Sequence, residues 1–190
     1  MSVAFKSINP KNNKLYRTFE AISNKELETV IDRSYQRFRY KYAQGNTRLN
    51  RRFEKLGYLA EILKENKSKY AELMTQEMGK PIGQSEAEID KCINHCHYYI
   101  KQAKDMMEPE ELEGLSFGPN PMQGNILVQP IGPVLTIMPW NFPWWMVYKA
   151  VIPTLVLGNS VLLKHSPGTP LSALAIQESF AEAGFGKGEY

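Results

Sequence analysis

The chain has 190 residues, 43% of them hydrophobic, and a formal net charge of +3. That is enough for one domain or a small pair with a packed core, and so balanced a charge implies neither nucleic acid nor an anionic membrane as a partner. Two cysteines make no disulfide scaffold, and the polar start from Met1 to Asn13 holds no apolar secretory run, so a reducing, cytoplasmic setting is expected.

Phe5 to Phe19 reads as extended segments around the turn signal Asn9-Pro-Lys-Asn-Asn13. Ser23-Asn-Lys-Glu26 is a capping box. Behind it Leu27, Val30, Ile31, Tyr35, Phe38 and Tyr42 share one helical face. Gly45-Asn46 breaks that helix, and Thr47 can cap the next. Leu49, Phe53, Leu56, Leu59, Leu63, Tyr70, Leu73 and Met78 continue a helical stripe that relaxes near Asn66 and stops at Gly79-Lys-Pro81. Arg48, Arg51, Arg52 and Lys55 are followed closely by acidic residues and have no aromatic platform between them. They read as a solvated helix start.

A third helix is expected from Gln84 to Met107, with Ile89, Cys92, Cys96, Tyr99, Ala103 and Met106 on its apolar face. Cys92 and Cys96 lie one helical turn apart with His95 and His97 nearby, a spacing zinc can use. The cysteines also continue a core stripe, and the histidines point to other faces, so no metal is expected.

Glu108 to Gln123 is acidic, then rich in Gly, Pro and Asn, and reads as a connector. Asn125 to Gln129 is the strand after it, at an edge because Pro130 follows. From Leu112 onward only Lys149, Lys164 and Lys187 are basic, so a charged, helix-rich front gives way to the start of a buried sheet. The organisation expected is residues 1–111 as extended segments and helices, 112–130 as connector and arm strand, and 131–190 as a partial cofactor-binding βαβα unit.

That last unit opens with Val134 to Met138 as a buried strand. Asn141 follows, held between Pro139 and Pro143, which restrict the backbone on either side. Pro143 to Leu157 is long and apolar enough for a helix, Gly158-Asn159 stops it, and Ser160 to Lys164 is a second strand. Strand, crossover and strand make a parallel βαβ unit, and the fold class is α/β. Lys149, Pro153 and Gly158-Asn159 interrupt the apolar run, which favours a buried core over a membrane span. Thr169 to Gly184 is the next helix. Asn141 and Lys164 then both lie past the carboxyl ends of their strands, in the crevice where open α/β sheets bind ligands. An amide donor beside a cation suits a developing oxyanion and a cofactor hydroxyl, although Asn141 could equally cap the helix that follows it.

Met138-Pro-Trp-Asn-Phe-Pro143, then Pro153, Gly158-Asn159, Lys164 and Thr169-Pro170, resemble the signature of the aldehyde dehydrogenase superfamily. The resemblance runs from Ser7-Ile-Asn-Pro10 to Glu182-Ala-Gly-Phe185 and includes Glu77-Met-Gly-Lys-Pro81. The Lys164-His-Ser-Pro167 version is most similar to succinate-semialdehyde dehydrogenases. It implies the amino-terminal portion of an aldehyde dehydrogenase fold, with the first part of a Rossmann-like sheet, a small aldehyde substrate, NAD or NADP as cofactor, and a homo-oligomer joined by arm strands. In that family a cysteine thiolate attacks the aldehyde, hydride passes to the cofactor, and a glutamate activates the water that frees the acid. The resemblance assigns Asn141 to the oxyanion, Lys164 to the adenosine ribose, and Ile137, Met138, Pro139 and Trp140 to the cofactor cleft. Many NAD-preferring members place a glutamate where this chain has Pro167. Its absence leaves room for a 2′-phosphate, to which Ser166 can donate. Lys149 lies where semialdehyde dehydrogenases often place an arginine for the distal carboxylate, and it equally suits a snorkelling surface position.

The family's nucleophile and glutamate have no counterpart in this chain, so by itself it is expected to be inactive and poorly soluble, with open strand edges. The alternative is a non-catalytic chain that associates with complete subunits.

Overall fold

Ala4–Ile8 (β1) and Leu15–Glu20 (β2) form an antiparallel hairpin closed by the turn at Asn9 to Asn13. Asn13 carries the positive φ of 57° that the turn requires. The computed structural model describes residues 4–43, 49–117 and 119–190. The expected break at Gly45-Asn46, the cap at Thr47 and the first member of the basic run, Arg48, lie outside the described residues.

Helix α1 (Asn24–Ala43) starts at the capping box: the Glu26 amide donates to Ser23 Oγ at 3.2 Å, and the Ser23 amide donates to Glu26 Oε2 at 2.8 Å. Its apolar stripe is not buried. Leu27, Val30, Ile31, Tyr35 and Tyr42 stand between 39% and 54% exposed, and Ser34 is the helix's buried residue.

Helix α2 (Leu49–Glu65) and helix α3 (Lys67–Met78) replace the single relaxed helix expected from the sequence. Asn66 absorbs the break, its side-chain amide donating to the Ile62 carbonyl at 3.0 Å. Gly79 ends α3 in the left-handed region with φ 79°, which only glycine enters without strain. Helix α4 (Ile82–Met106) follows, and its buried stripe includes Ile89, Cys92 and Cys96. These pack with Leu56, Leu59, Leu63 and Met74 around the crossover helix α5 (Trp145–Leu157) and the last helix α6 (Pro170–Glu182).

The connector is more structured than its composition suggests. Glu110–Leu112 (β3) pairs antiparallel with Gly124–Ile126 (β6), and Ser116–Phe117 (β4) pairs with Asn120–Pro121 (β5). The expected strand at Asn125 to Gln129 therefore begins one residue earlier and ends at Ile126. Its partner is the acidic segment that composition assigned to a loop; backbone pairing there does not depend on a buried side chain.

Pro133–Ile137 (β7) and Ser160–Lys164 (β8) are parallel, in register from Pro133 opposite Ser160 to Ile137 opposite Lys164. Asn159 fixes the entry to β7, its Oδ1 accepting from the Ile131 amide at 2.7 Å and the Gly132 amide at 2.9 Å. The fold is α/β, as the sequence implies. One face of β7 is bare, with Leu135 62% and Ile137 68% exposed. The outer edge of β8 is met by the end of the chain, where the Val161 amide donates to the Glu189 carbonyl at 2.8 Å. No helix among the described residues is long and apolar enough to cross a membrane.

Candidate functional site

The register of β7 and β8 sets the site. Ile137 and Lys164 are partners at the carboxyl ends, and the Met138 amide donates to the Lys164 carbonyl at 3.1 Å as the chain leaves the sheet. Asn141 follows three residues later, so it and Lys164 lie at the same end of the sheet, both exposed. Trp140 and Ile137 are also exposed there, while Met138 is half-buried. Ser166 and Pro167 stand in the turn after Lys164, the first half-buried and the second exposed. Lys149 is exposed on α5.

Asn141 does not cap the helix. Helix α5 begins at Trp145, two residues later than the sequence implies, and no side chain of its own entry segment bonds its first amides. A distant carboxylate takes them: Glu88 Oε1 on α4 accepts from the Trp144 and Trp145 amides, each at 2.9 Å. A buried anion is favoured there, where orphan N–H groups and the helix dipole both point. Lys80 pairs with the other oxygen of Glu88, and both side chains are buried. The same ammonium donates to the Asn141 carbonyl at 3.4 Å and lies 3.9 Å from the Phe142 ring centroid. The loop carrying Asn141 is thus braced by an ion pair reaching over from α4 and the turn before it.

Helix α6 repeats the device. Glu77, at the end of α3, accepts from the Leu171 amide at 2.7 Å and the Ser172 amide at 2.8 Å. The hydroxyls of Ser172 and Ser7 complete its shell at 2.8 and 3.0 Å. Between the two loops sits His165, its Nε2 2.8 Å from the Pro143 carbonyl and its Nδ1 accepting from the Ser166 amide at 2.8 Å. Burial holds this imidazole below the ordinary histidine value, against the opposing pull of the Pro143 carbonyl and Glu77.

Sequence reasoning gave no structural role to Glu77, Lys80, Glu88 or His165, although Glu77, Lys80 and His165 stand within the motifs that carry the resemblance. The available signal was a lone carboxylate beside an apolar residue inside a core stripe, as in Glu77-Met78 and Glu88-Ile89.

The donor set has the chemistry for one part of a dinucleotide and lacks it for another. An exposed Lys164, the exposed residues Pro139 and Trp140 and the Ser166 hydroxyl hydrogen suit a ribose; the Ser166 oxygen itself accepts from the Gly168 amide at 3.2 Å. A pyrophosphate has no place at the start of α5 or α6, because carboxylates already occupy both amide clusters.

The two cysteines are sealed in the core at 0% exposure. Burial pushes the Cys92 thiol well up and the Cys96 thiol up to about 12, the reverse of what a nucleophile needs. The His95 ring packs edge-on to Tyr99 and Trp145, and His97 is exposed, so the four are not gathered around one point. A separate cavity of about 510 Å³ runs along the outer edge of β8, lined by Val30, Arg33, Leu162, His165, Leu174 and Tyr190 among others.

The sequence profile described as the aldehyde dehydrogenase family matches residues 2–189. A probable NADP(+) succinate-semialdehyde dehydrogenase of Synechocystis sp. is 37% identical over 192 residues, covering 99% of this chain and 40% of the relative. An NADP(+) succinate-semialdehyde dehydrogenase of Mycobacterium ulcerans is 37% identical over 180 residues, covering 95% of this chain and 38% of the relative. The crystal structure of a succinic semialdehyde dehydrogenase from Streptococcus pyogenes in complex with NADP+ superposes with a TM-score of 0.90 at 31% identity, over 97% of this chain and 39% of that one. The chain therefore spans about two fifths of the length of these relatives.

Proposed function

Because the chain belongs to the aldehyde dehydrogenase family, we propose that it is the amino-terminal part of an NAD(P)-dependent enzyme oxidising succinate semialdehyde. The carboxyl end of β7 and β8 is the portion of the active site it supplies. The observation that carries this reading is the parallel register, which sets Asn141 and Lys164 at one end of one sheet.

The exposed Asn141 amide donates to the aldehyde oxygen as negative charge develops on it. Losing one such donor costs about 2.7–4 kcal/mol of transition-state stabilisation. Prolines and the Lys80–Glu88 pair fix its backbone beforehand, so little reorganisation accompanies the reaction. Lys164 holds the adenosine ribose, and the segment Ile137 to Trp140 lines the cleft. Pro167 presents no carboxylate to repel a 2′-phosphate, and the Ser166 hydroxyl keeps its hydrogen to donate. NADP is therefore accepted at least as well as NAD, in line with the NADP(+) in the names of the relatives. When bound, the nicotinamide accepts the hydride. Lys149 supplies charge, without arginine's fork, for the distal carboxylate.

Neither cysteine of this chain is assigned as nucleophile. Purified chain supplied with succinate semialdehyde and either NADP+ or NAD+ should therefore show no aldehyde-dependent reduction of cofactor. Turnover would contradict this division of roles. A second reading, association with complete subunits without catalysis of its own, is favoured by the bare face of β7. It predicts a stable mixed oligomer with a complete relative on size-exclusion chromatography.

A further inference from the structure

His165 lies past the end of β8 and touches both loops at the carboxyl end of the sheet. Its Nδ1 accepts from the Ser166 amide at 2.8 Å. A backbone amide can only donate, so Nδ1 carries no proton while that bond exists. The ring proton of the neutral imidazole then sits on Nε2 and is donated to the Pro143 carbonyl, 2.8 Å away. One neutral tautomer satisfies both bonds, and the other breaks both. The Thr169 hydroxyl, fully buried, is 3.1 Å from the same Nδ1.

Resting on the cofactor reading above, we propose that His165 is a positioning residue: its Nε2–H ties the Lys164–Pro167 loop to the Asn141 loop through the Pro143 carbonyl, its bare Nδ1 fixes the Ser166 amide, and a proton arriving on Nδ1 keeps the first bond and breaks the second. Protonation turns Nδ1 into a donor facing the Ser166 N–H. That bond is lost, and the Thr169 hydroxyl becomes the acceptor. Ser166 and Pro167, the residues assigned to the 2′-phosphate, are released with the Ser166 amide. Charged and titratable groups surround the ring. Glu77 from α3 attracts the proton and Lys164 on β8 repels it. Arg33 of α1, with Lys187 and Tyr190 near the chain end, lines the cavity that the ring shares. Burial is the largest influence and lowers the folded value below 6.5. The Ser166 bond is therefore fully present above 6.5 and is lost as pH falls through the folded value.

The test follows the ring nitrogens of the three histidines by nitrogen-15 NMR, together with the amides of Asn141, Phe142, Ser166 and Gly168, from about pH 8 to about pH 5. His165 should be the Nε2–H tautomer, the Ser166 and Gly168 amides should titrate with it, and the Asn141 and Phe142 amides should move far less. Thr169→Val removes the acceptor of the protonated ring and should lower the His165 pKa by roughly half a unit or more. His165→Gln should flatten the amide titration. Over the same range NADP+ affinity should fall about tenfold further in the wild-type chain than in His165→Gln. An Nδ1–H tautomer, a Ser166 amide that does not titrate with the ring, or an unmoved pKa in Thr169→Val overturns the proposal. Coupled titration without NADP+ binding at any pH keeps the tie and overturns the cofactor reading instead.

Discussion

Helices α1 and α2 carry similar apolar stripes, yet the molecule treats them in opposite ways. In α2, Leu56, Leu59 and Leu63 are fully buried against α4 and α5. In α1 the stripe faces outward, and the helix is held instead by polar contacts: Ser34 Oγ donates to Ser160 Oγ at 2.9 Å, and Arg37 and Lys41 reach Glu189. Periodicity reports that a helix has two faces, not which face finds a partner. The candidate site belongs to the α2 side of this contrast. Its loops are fastened to the packed helices by buried carboxylates, so Asn141 is exposed without being loosely held.

Three substitutions probe the contrast. Glu88→Ala removes the acceptor of two amides and strands the Lys80 charge in the interior, and should destabilise the fold by about 3–5 kcal/mol. An unchanged urea midpoint would show that the brace is idle. Leu59→Ala opens a cavity in the α2 core and should cost about 2–5 kcal/mol, read from the same unfolding curves. Ile31→Ser, on the bare stripe of α1, should change stability by no more than about 0.5 kcal/mol. A loss near that of Leu59→Ala would mean the α1 stripe is covered in solution.

Local chemistry was legible in the sequence. The capping box at Ser23, the left-handed stops at Gly79 and Gly158 and the strand–helix–strand order after Pro133 all depend on neighbours within a few residues. What was not legible acts from afar. Glu88 caps a helix 56 residues downstream and Glu77 one 94 residues downstream, and no window on the chain contains both partners. Pairing of β3 with β6 escaped notice because acidic, exposed residues can share a ladder without an apolar signal. The shared placement of Asn141 and Lys164 was legible because Lys164 ends β8 and Asn141 lies shortly past the end of β7, and two short strands in parallel register bring those ends together.

The proposal that this end of the sheet holds the ribose of NADP through Lys164 is tested most directly by titration calorimetry with 2′,5′-ADP. Measurable binding is expected, weakening by about 10–100-fold in Lys164→Met, the equivalent of one charge-assisted hydrogen bond of roughly 1.5–3 kcal/mol. Binding of equal strength in the two proteins would contradict it.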